Sequence, residues 1–206
     1  QQRITTCIIL IQAIIEEALL LPENTLPEDK KEDFELCDTK ISEIRREFIF
    51  SQRTGSIVRS YVFGYEKDNP SYEFLKTRIF KEESTSNLGQ ETLYTQNLEN
   101  AKTFFTENIR AFKLEERRAK LEEIYRKVTL HLLFNEHIIQ SDVDVFVAFE
   151  TMNNRGKKLS DLELLKNRLI YLSTLFKEDD AEKAALRKKV NESWGIIYFI
   201  LGSNKD

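Results

Sequence analysis

The sequence predicts a mainly α-helical, multi-helix domain with one small β-hairpin. Only 6 glycines and 3 prolines occur among 206 residues, which disfavours a turn-rich β-sandwich and low-complexity linkers. Apolar residues recur at helical spacing over several long segments, a pattern typical of amphipathic helices. Hydrophobic residues form 41% and aromatic residues 11% of the chain, so it can fill a core.

The most apolar segment, residues 4–21, predicts a central helix that is buried over most of its circumference. Its isoleucines recur at helical spacing, whereas Gln12 and Glu16 lie on the opposite side. Because polar residues interrupt the apolar run, this helix is too short and too charged to span a membrane. Pro22 and Pro27 stop it.

An exposed, mobile acidic loop is predicted for residues 22–38, where seven acidic residues stand against Lys30 and Lys31. A hairpin is predicted after it. Residues 47–52 and 57–63 are rich in β-branched and aromatic side chains and flank an Arg-Thr-Gly-Ser turn.

Three helices are predicted in the middle of the chain. A short one follows Asn69-Pro70 and continues through Phe80, and the third starts near Leu114 and carries acid–base pairs at helical spacing on a solvated face. The second, long helix presents one apolar face formed by Leu98, Ala101, Phe105, Ile109 and Phe112.

The last third of the chain predicts further helices. Residues 128–134 alternate well enough that a strand competes with continuation of the preceding helix, and both remain open. Ser160 and Glu163 form a capping-box pattern for the next helix. That helix runs through Leu162, Leu165, Leu169, Leu172 and Phe176, and a final helix, from about Asp180 to Leu201, turns Leu186, Val190, Trp194 and Ile197 inward.

The length favours a single mainly helical domain, residues 1–206, at about 150 residues per domain. The chain begins with Gln1 rather than Met, which predicts a fragment of a longer protein. Two cysteines and two histidines, His131 and His137, are too few for a disulfide framework or a structural zinc site, so no metal is expected. A reducing, cytoplasmic setting follows from this cysteine usage.

One polar cluster lies where the first helix begins. The sequence Gln-Gln-Arg-Ile-Thr-Thr opens a very apolar helix, whose N-terminus offers free backbone N–H groups and a positive dipole end. The guanidinium of Arg3 can bind phosphate oxygens in a bidentate manner. The cluster therefore suits an anion, although a solvated helix start explains the same residues.

A second polar cluster lies at residues 150–169. Gly156 can take the positive φ of a tight turn, Arg155 is presented at that turn, and Ser160 starts the next helix. Five basic residues stand against two acidic ones between Arg155 and Arg168 in a chain whose net charge is −4. An ordinary helix–loop–helix corner with charges for solubility is the alternative interpretation.

Several familiar chemistries are excluded by missing motifs. The sequence contains no P-loop, no dinucleotide-binding glycine motif and no serine-hydrolase elbow. The negative net charge and the lack of a basic stripe with interleaved aromatics disfavour direct DNA binding by this chain.

Together the two clusters resemble a known family. Gln-Gln-Arg at residues 1–3 looks like the second half of the Asp-Gly-Gln-Gln-Arg box of GmrSD-type, modification-dependent restriction endonucleases. Residues 145–172, VFVAFETMNNRGKKLSDLELLKNRLIYL, resemble the second signature of that family, which leads into an Asp-Leu-Leu-Lys-Asn helix. Residues 65–80 look like its middle region, so the likeness covers most of the chain.

The resemblance implies the helical portion of a ParB/sulfiredoxin-like nucleotide-binding unit whose sheet is missing. The family binds and hydrolyses nucleoside triphosphates, with Mg²⁺ expected in the parent protein, and governs a separate HNH nuclease domain that cuts modified or foreign DNA. The partners it implies are therefore a nucleotide and, through the HNH domain, DNA; no membrane partner is expected.

Site residues follow from the same resemblance. Gln1, Gln2 and Arg3 match the last three positions of the box, with Gln2 and Arg3 in catalytic roles, as water or phosphate positioner and as phosphate ligand. The remaining nucleotide-binding residues it implies are Asn153, Arg155, Gly156, Lys166 and Asn167.

The chain also departs from the family pattern. The Asp-Gly that should precede Gln1 is absent, and Glu163 stands where the family usually has Asp. We therefore expect this fragment alone to be inactive and to hold no tightly bound cofactor. The rival hypothesis is a helical scaffold or partner-binding module without a small-molecule site. The two hypotheses differ in one geometric prediction: Arg3 and Arg155 converge on one pocket only if the first is correct.

Overall fold

The computed structural model describes residues 2–52, 55, 59–62, 70–82, 93–134, 161–176 and 179–203. It is mainly helical with two small antiparallel strand pairs, which confirms the predicted fold class. The chain forms two compact units, residues 1–133 (unit 1) and 134–206 (unit 2), and each is described by itself. That residues 1–206 form a single domain stays a prediction.

Helix α1 (Gln2–Leu19) lies at the centre of unit 1, as predicted. It packs mainly against α4 (Leu93–Arg110) and also against α5 (Leu114–Arg126) and α2 (Ile41–Phe48). Ile8, Ile11 and Ile15 are all buried. Because neighbours surround it on several sides, the middle of α1 has no solvent face.

The segment predicted as an acidic loop is not loop throughout. It contains a 3₁₀ helix (Glu28–Asp33) and the strand β1 (Glu35–Leu36), which pairs with β2 (Thr39–Lys40). Most of its acidic side chains are exposed, but Phe34 and Leu36 are buried in the core. These two apolar residues anchor the segment to the core, although its charge predicted an exposed loop.

The predicted hairpin is present. Strand β3 (Phe50–Gln52) pairs with β4 (Arg59–Tyr61) in antiparallel register, with Phe50 opposite Tyr61. The Arg59 guanidinium lies 4.4 Å from the centre of the Phe50 ring and forms an ion pair with Glu82. The hairpin is thus fastened to the chain segment that follows the helix at residues 70–79.

Two tyrosines of unit 1 predict a stability loss at high pH. Burial, with Glu82 nearby, raises the pKa of Tyr61 to about 12, and burial, with Glu47 nearby, raises the pKa of Tyr125 to about 12. In the unfolded chain each pKa returns to about 10. As the pH rises, the two tyrosines therefore lose their protons in the unfolded state before they do so in the folded state. The contribution that these tyrosines make to the free energy of unfolding is fully present below about pH 10 and is lost as the pH rises through about 12.

Absorbance at 295 nm should show these two tyrosines titrating last, and urea unfolding should show stability falling between about pH 10 and 12. Tyr125→Phe should reduce that fall. An unchanged pH profile in this variant would contradict the assignment.

Most of the remaining helices of unit 1 agree with the sequence patterns, but α2 was not predicted, and it includes Glu47 and Phe48, which the sequence assigned to the hairpin. Helix α3 (Pro70–Phe74) passes into a π-helix (Leu75–Ile79), α5 starts at Leu114 as predicted, and α4 ends at Arg110, two residues before the predicted face residue Phe112. The open question at residues 128–134 is answered by a second π-helix (Lys127–His131), followed by non-helical chain from Leu132. Val128 packs against the core and Thr129 bonds to the Tyr125 carbonyl, which favours continued helix.

Unit 2 contains α6 (Asp161–Thr174) and α7 (Asp180–Ser203), which pack against each other. Trp194 is buried and Leu186, Val190 and Ile197 are half-buried, as predicted for α7. The predicted apolar stripe of α6 differs, because most of it is exposed. Among the described residues of unit 2, α6 packs against α7 along one strip, and the following predicted residues are exposed outside it: Leu165, Leu169 and Leu172 of α6, and Phe176 beyond its end.

None of the helices in the described part of the chain combines the length and the apolar character that crossing a bilayer needs.

Candidate functional site

The first turn of α1 exposes groups that suit an anion. Gln2 is the first helical residue, and the Arg3 side chain is exposed, with no hydrogen bond or ion pair recorded for it within the described residues. No acidic residue lies in this turn. The first backbone N–H groups of a helix lack intrahelical acceptors and carry the positive end of the dipole. Cation and free donors therefore lie together at one helix end.

A polar network, which we call the Glu16 network, holds α1 to its neighbours. Its members are Gln12, Glu16, Arg45, Lys81 and Lys102, and the Lys81 ammonium lies 3.8 Å from the Glu16 carboxylate. The Lys102 ammonium of α4 donates to the Glu16 carboxylate at 2.8 Å and to the Ile79 carbonyl at 2.6 Å. The Gln12 amide donates to Glu16 at 3.0 Å, and the Arg45 guanidinium of α2 donates to the Gln12 oxygen at 3.4 Å. The network thus links α1 to α2, to α4 and to the end of the first π-helix.

A second ion pair fixes the next residue of α1. The Glu17 side chain is only 2% exposed, and its carboxylate accepts from the Arg110 guanidinium at 2.8 Å. Arg110 is the last residue of α4 and its side chain is 57% exposed. The pair therefore joins a buried anion to a cation that reaches in from the surface.

Gln12 was predicted to lie on a polar side of α1, opposite the isoleucines. That placement is wrong, because Gln12 is only 1% exposed. The roles of Glu16, Glu17, Lys102 and Arg110 in holding α1 were also missed. One signal could have revealed them: two adjacent acids within a run of isoleucines must find cations when that run is buried.

The predicted site residues have different standings. Arg3 is at an exposed helix start, as expected, and Gln2 lies in the helix, although its side chain is outside the described part. Lys166 and Asn167 are half-buried neighbours on α6, and burial lowers the pKa of the Lys166 ammonium. The other predicted ligands lie outside the described residues: Gln1, Asn153, Arg155 and Gly156.

Convergence of Arg3 with the second cluster stays a prediction, since Arg3 belongs to unit 1 and the second cluster to unit 2. Ser160, the predicted helix cap, and His137 also lie outside the described residues. The helix that Ser160 was predicted to start does begin at Asp161. Within the described ranges, no group of three or more His, Cys, Asp or Glu side chains could hold a metal ion.

Comparison with known families supplies the identity. The family model for the N-terminal domain of GmrSD restriction endonucleases matches residues 1–170, which include α1 and the start of α6. No curated protein and no solved structure matches the chain significantly. The family match covers well over half of the chain and contains both polar clusters. The chain therefore belongs to the family of GmrSD restriction endonuclease N-terminal domains.

Proposed function

We propose that the chain forms the helical part of a nucleoside triphosphate site that regulates a modification-dependent DNA restriction endonuclease in cytoplasmic defence against phage. The observation that carries the proposal is the first turn of α1. It combines an exposed arginine that has no recorded partner in the described part of the chain, free N–H donors and no acid. These are the groups that bind phosphate oxygens.

In this proposal Arg3 binds the phosphates while the body of α1 stays fixed by the Glu16 network and by Arg110. The α1 dipole favours the phosphate charge at the same end. Mg²⁺ would accompany the bound triphosphate. Asn153, Arg155, Gly156, Lys166 and Asn167 would complete the site from the second cluster, and Gln2 would position a phosphate or water. DNA would be cut by a separate HNH nuclease domain.

The alternative, a helical partner-binding module, draws support from unit 2. The leucines of α6 are largely exposed, and exposed apolar patches can serve protein contacts. This module would need neither Arg3 nor Arg155 for its function. Nucleotide binding therefore distinguishes the two candidates.

The decisive experiment is calorimetric titration of the intact parent protein and its variants with a non-hydrolysable triphosphate and Mg²⁺. Arg3→Ala and Arg155→Ala should each weaken binding by roughly 1.5–3 kcal/mol, the range for a hydrogen bond to a charged group. Because Arg3 is exposed, its replacement should leave the thermal unfolding midpoint unchanged.

Arg46→Ala is the matched control, since Arg46 is an exposed arginine of α2 for which no ion pair is recorded within the described residues. Its affinity should equal that of the unmodified chain. Equal losses for Arg3→Ala and Arg46→Ala would indicate a general charge effect, and no binding at all would favour the partner-binding module.

A further inference from the structure

The apolar surface of α1 does not by itself define how the helix sits in unit 1. Successive residues of a helix are rotated by about 100°, and buried side chains of α1 point in every direction around its axis. Apolar contacts are non-directional, so they favour burial without selecting one rotation. The buried residues of this helix are Thr5, Ile8, Ile9, Ile11, Gln12, Ala13, Ile14, Ile15, Glu17 and Ala18.

The isoleucine pattern also repeats along the helix. Ile8, Ile11 and Ile14 follow one another at intervals of three residues, and Ile15 follows Ile11 at an interval of four. A slip of α1 by one turn, about 5.4 Å, would therefore exchange isoleucine for isoleucine at two places. Part of the lost apolar contacts would be replaced by equivalent ones.

The two adjacent carboxylates break this self-similarity. A one-turn slip would carry the Glu17 carboxylate into the buried place of Ala13 or Ile14, away from Arg110. It would also separate Glu16 from Lys102, whose side chain is only 14% exposed. Burying an unpaired charge is far more costly than exchanging one isoleucine for another.

We propose that Glu16 and Glu17 are positioning residues that select one register of α1, through Lys102 and Arg110, and so fix where Arg3 is presented. Buried polar groups are known to specify register among otherwise equivalent apolar packings. The register itself follows from unit 1 alone, whereas its consequence for nucleotide binding rests on the proposed function.

The test replaces the Glu17–Arg110 pair with apolar side chains of similar length, in the double variant Glu17→Met, Arg110→Met. Removing both charges leaves no unpaired ion, so the protein should stay folded with a similar unfolding midpoint. The matched control is Glu123→Met, Lys127→Met, which removes an exposed ion pair of 2.6 Å that does not involve α1.

The reaction rates of two native thiols can be used to detect a change in the register of α1. Cys7 lies on α1, whereas Cys37 lies in the β1–β2 turn and donates to the Glu122 carbonyl at 3.6 Å. Both are half-buried, and burial raises the pKa of both thiols. Their rates of reaction with a maleimide, each measured with the other cysteine replaced by serine, can therefore be compared directly.

We expect the Glu17–Arg110 double variant to change the Cys7 rate several-fold and leave the Cys37 rate unchanged, with no effect in the control. Unchanged rates at both thiols would overturn the proposal. Changes at both would also overturn it, because they would indicate general loosening. If the methionine variant does not fold, Glu17→Gln, Arg110→Gln is judged by the same criteria.

The link to the nucleotide is measured separately. A variant with an altered Cys7 rate should bind the triphosphate about tenfold more weakly, as when one favourable contact is lost. Unchanged affinity would overturn the link to Arg3. No binding by the unmodified parent protein, with the thiol result as expected, would overturn the proposed function and leave the register proposal supported.

Discussion

Replacing Ile15 with alanine should lower the free energy of unfolding by about 2–5 kcal/mol, the range for truncating a large buried aliphatic side chain. Ile15 is fully buried on α1, which neighbouring helices surround. Truncation removes apolar contacts and leaves a cavity that these helices can close only in part. Urea denaturation followed by far-ultraviolet circular dichroism measures the loss.

Ile4→Ala provides the control on the same helix. Ile4 is 50% exposed, so the same chemical change should cost much less there. Equal costs at the two positions would mean that α1 is not the centre of the core.

Replacing Arg110 with alanine should cost about 1–3 kcal/mol, the range for leaving a buried hydrogen-bonding group without its partner. Arg110 is more exposed than Glu17, yet its loss is the damaging one, because it leaves the buried Glu17 carboxylate without its cation. The reverse change, Glu17→Gln, should cost less, since Arg110 can turn into water. Exposure alone would predict the opposite order, with a larger stability loss for replacing the buried Glu17 than for replacing the exposed Arg110.

A double-mutant cycle tests this explanation. In Glu17→Gln, Arg110→Ala, most of the loss seen in Arg110→Ala should be recovered, because no buried charge remains. Arg46→Ala, an exposed arginine of α2, should be close to neutral. A double variant as unstable as Arg110→Ala would show that the guanidinium acts through packing rather than by pairing with Glu17.

Much of the architecture follows from local sequence patterns. The start of α5 at Leu114, the pairing of β3 with β4 and the start of α6 near Asp161 all agree with predictions from periodicity, turn residues and capping. These features depend on residues a few positions apart, so the information needed to predict them is local. Family membership was also readable, because the two signature segments lie in the chain as continuous stretches.

The candidate site was only partly predictable. The sequence shows that Arg3 lies at the start of an apolar helix. The structure agrees, because the Arg3 side chain is exposed there. The residues that hold this helix were not predicted, because Lys102 and Arg110 are more than 80 positions away from Glu16 and Glu17. No periodicity within one helix indicates which distant cation will meet its acids.

Local sequence patterns were sufficient to predict α1, α4, α5, α6, α7 and the hairpin, the family of the chain and the residue types that open α1, but they did not predict α2 or the 3₁₀ helix. The packing of the folded chain was needed to show that Gln12 and Glu17 are buried, that Phe34 and Leu36 anchor the acidic segment, and that the leucines of α6 stay largely exposed. The physical reason is the same in each case. Periodicity states which residues share a face, but the burial of that face depends on how many other elements pack against it.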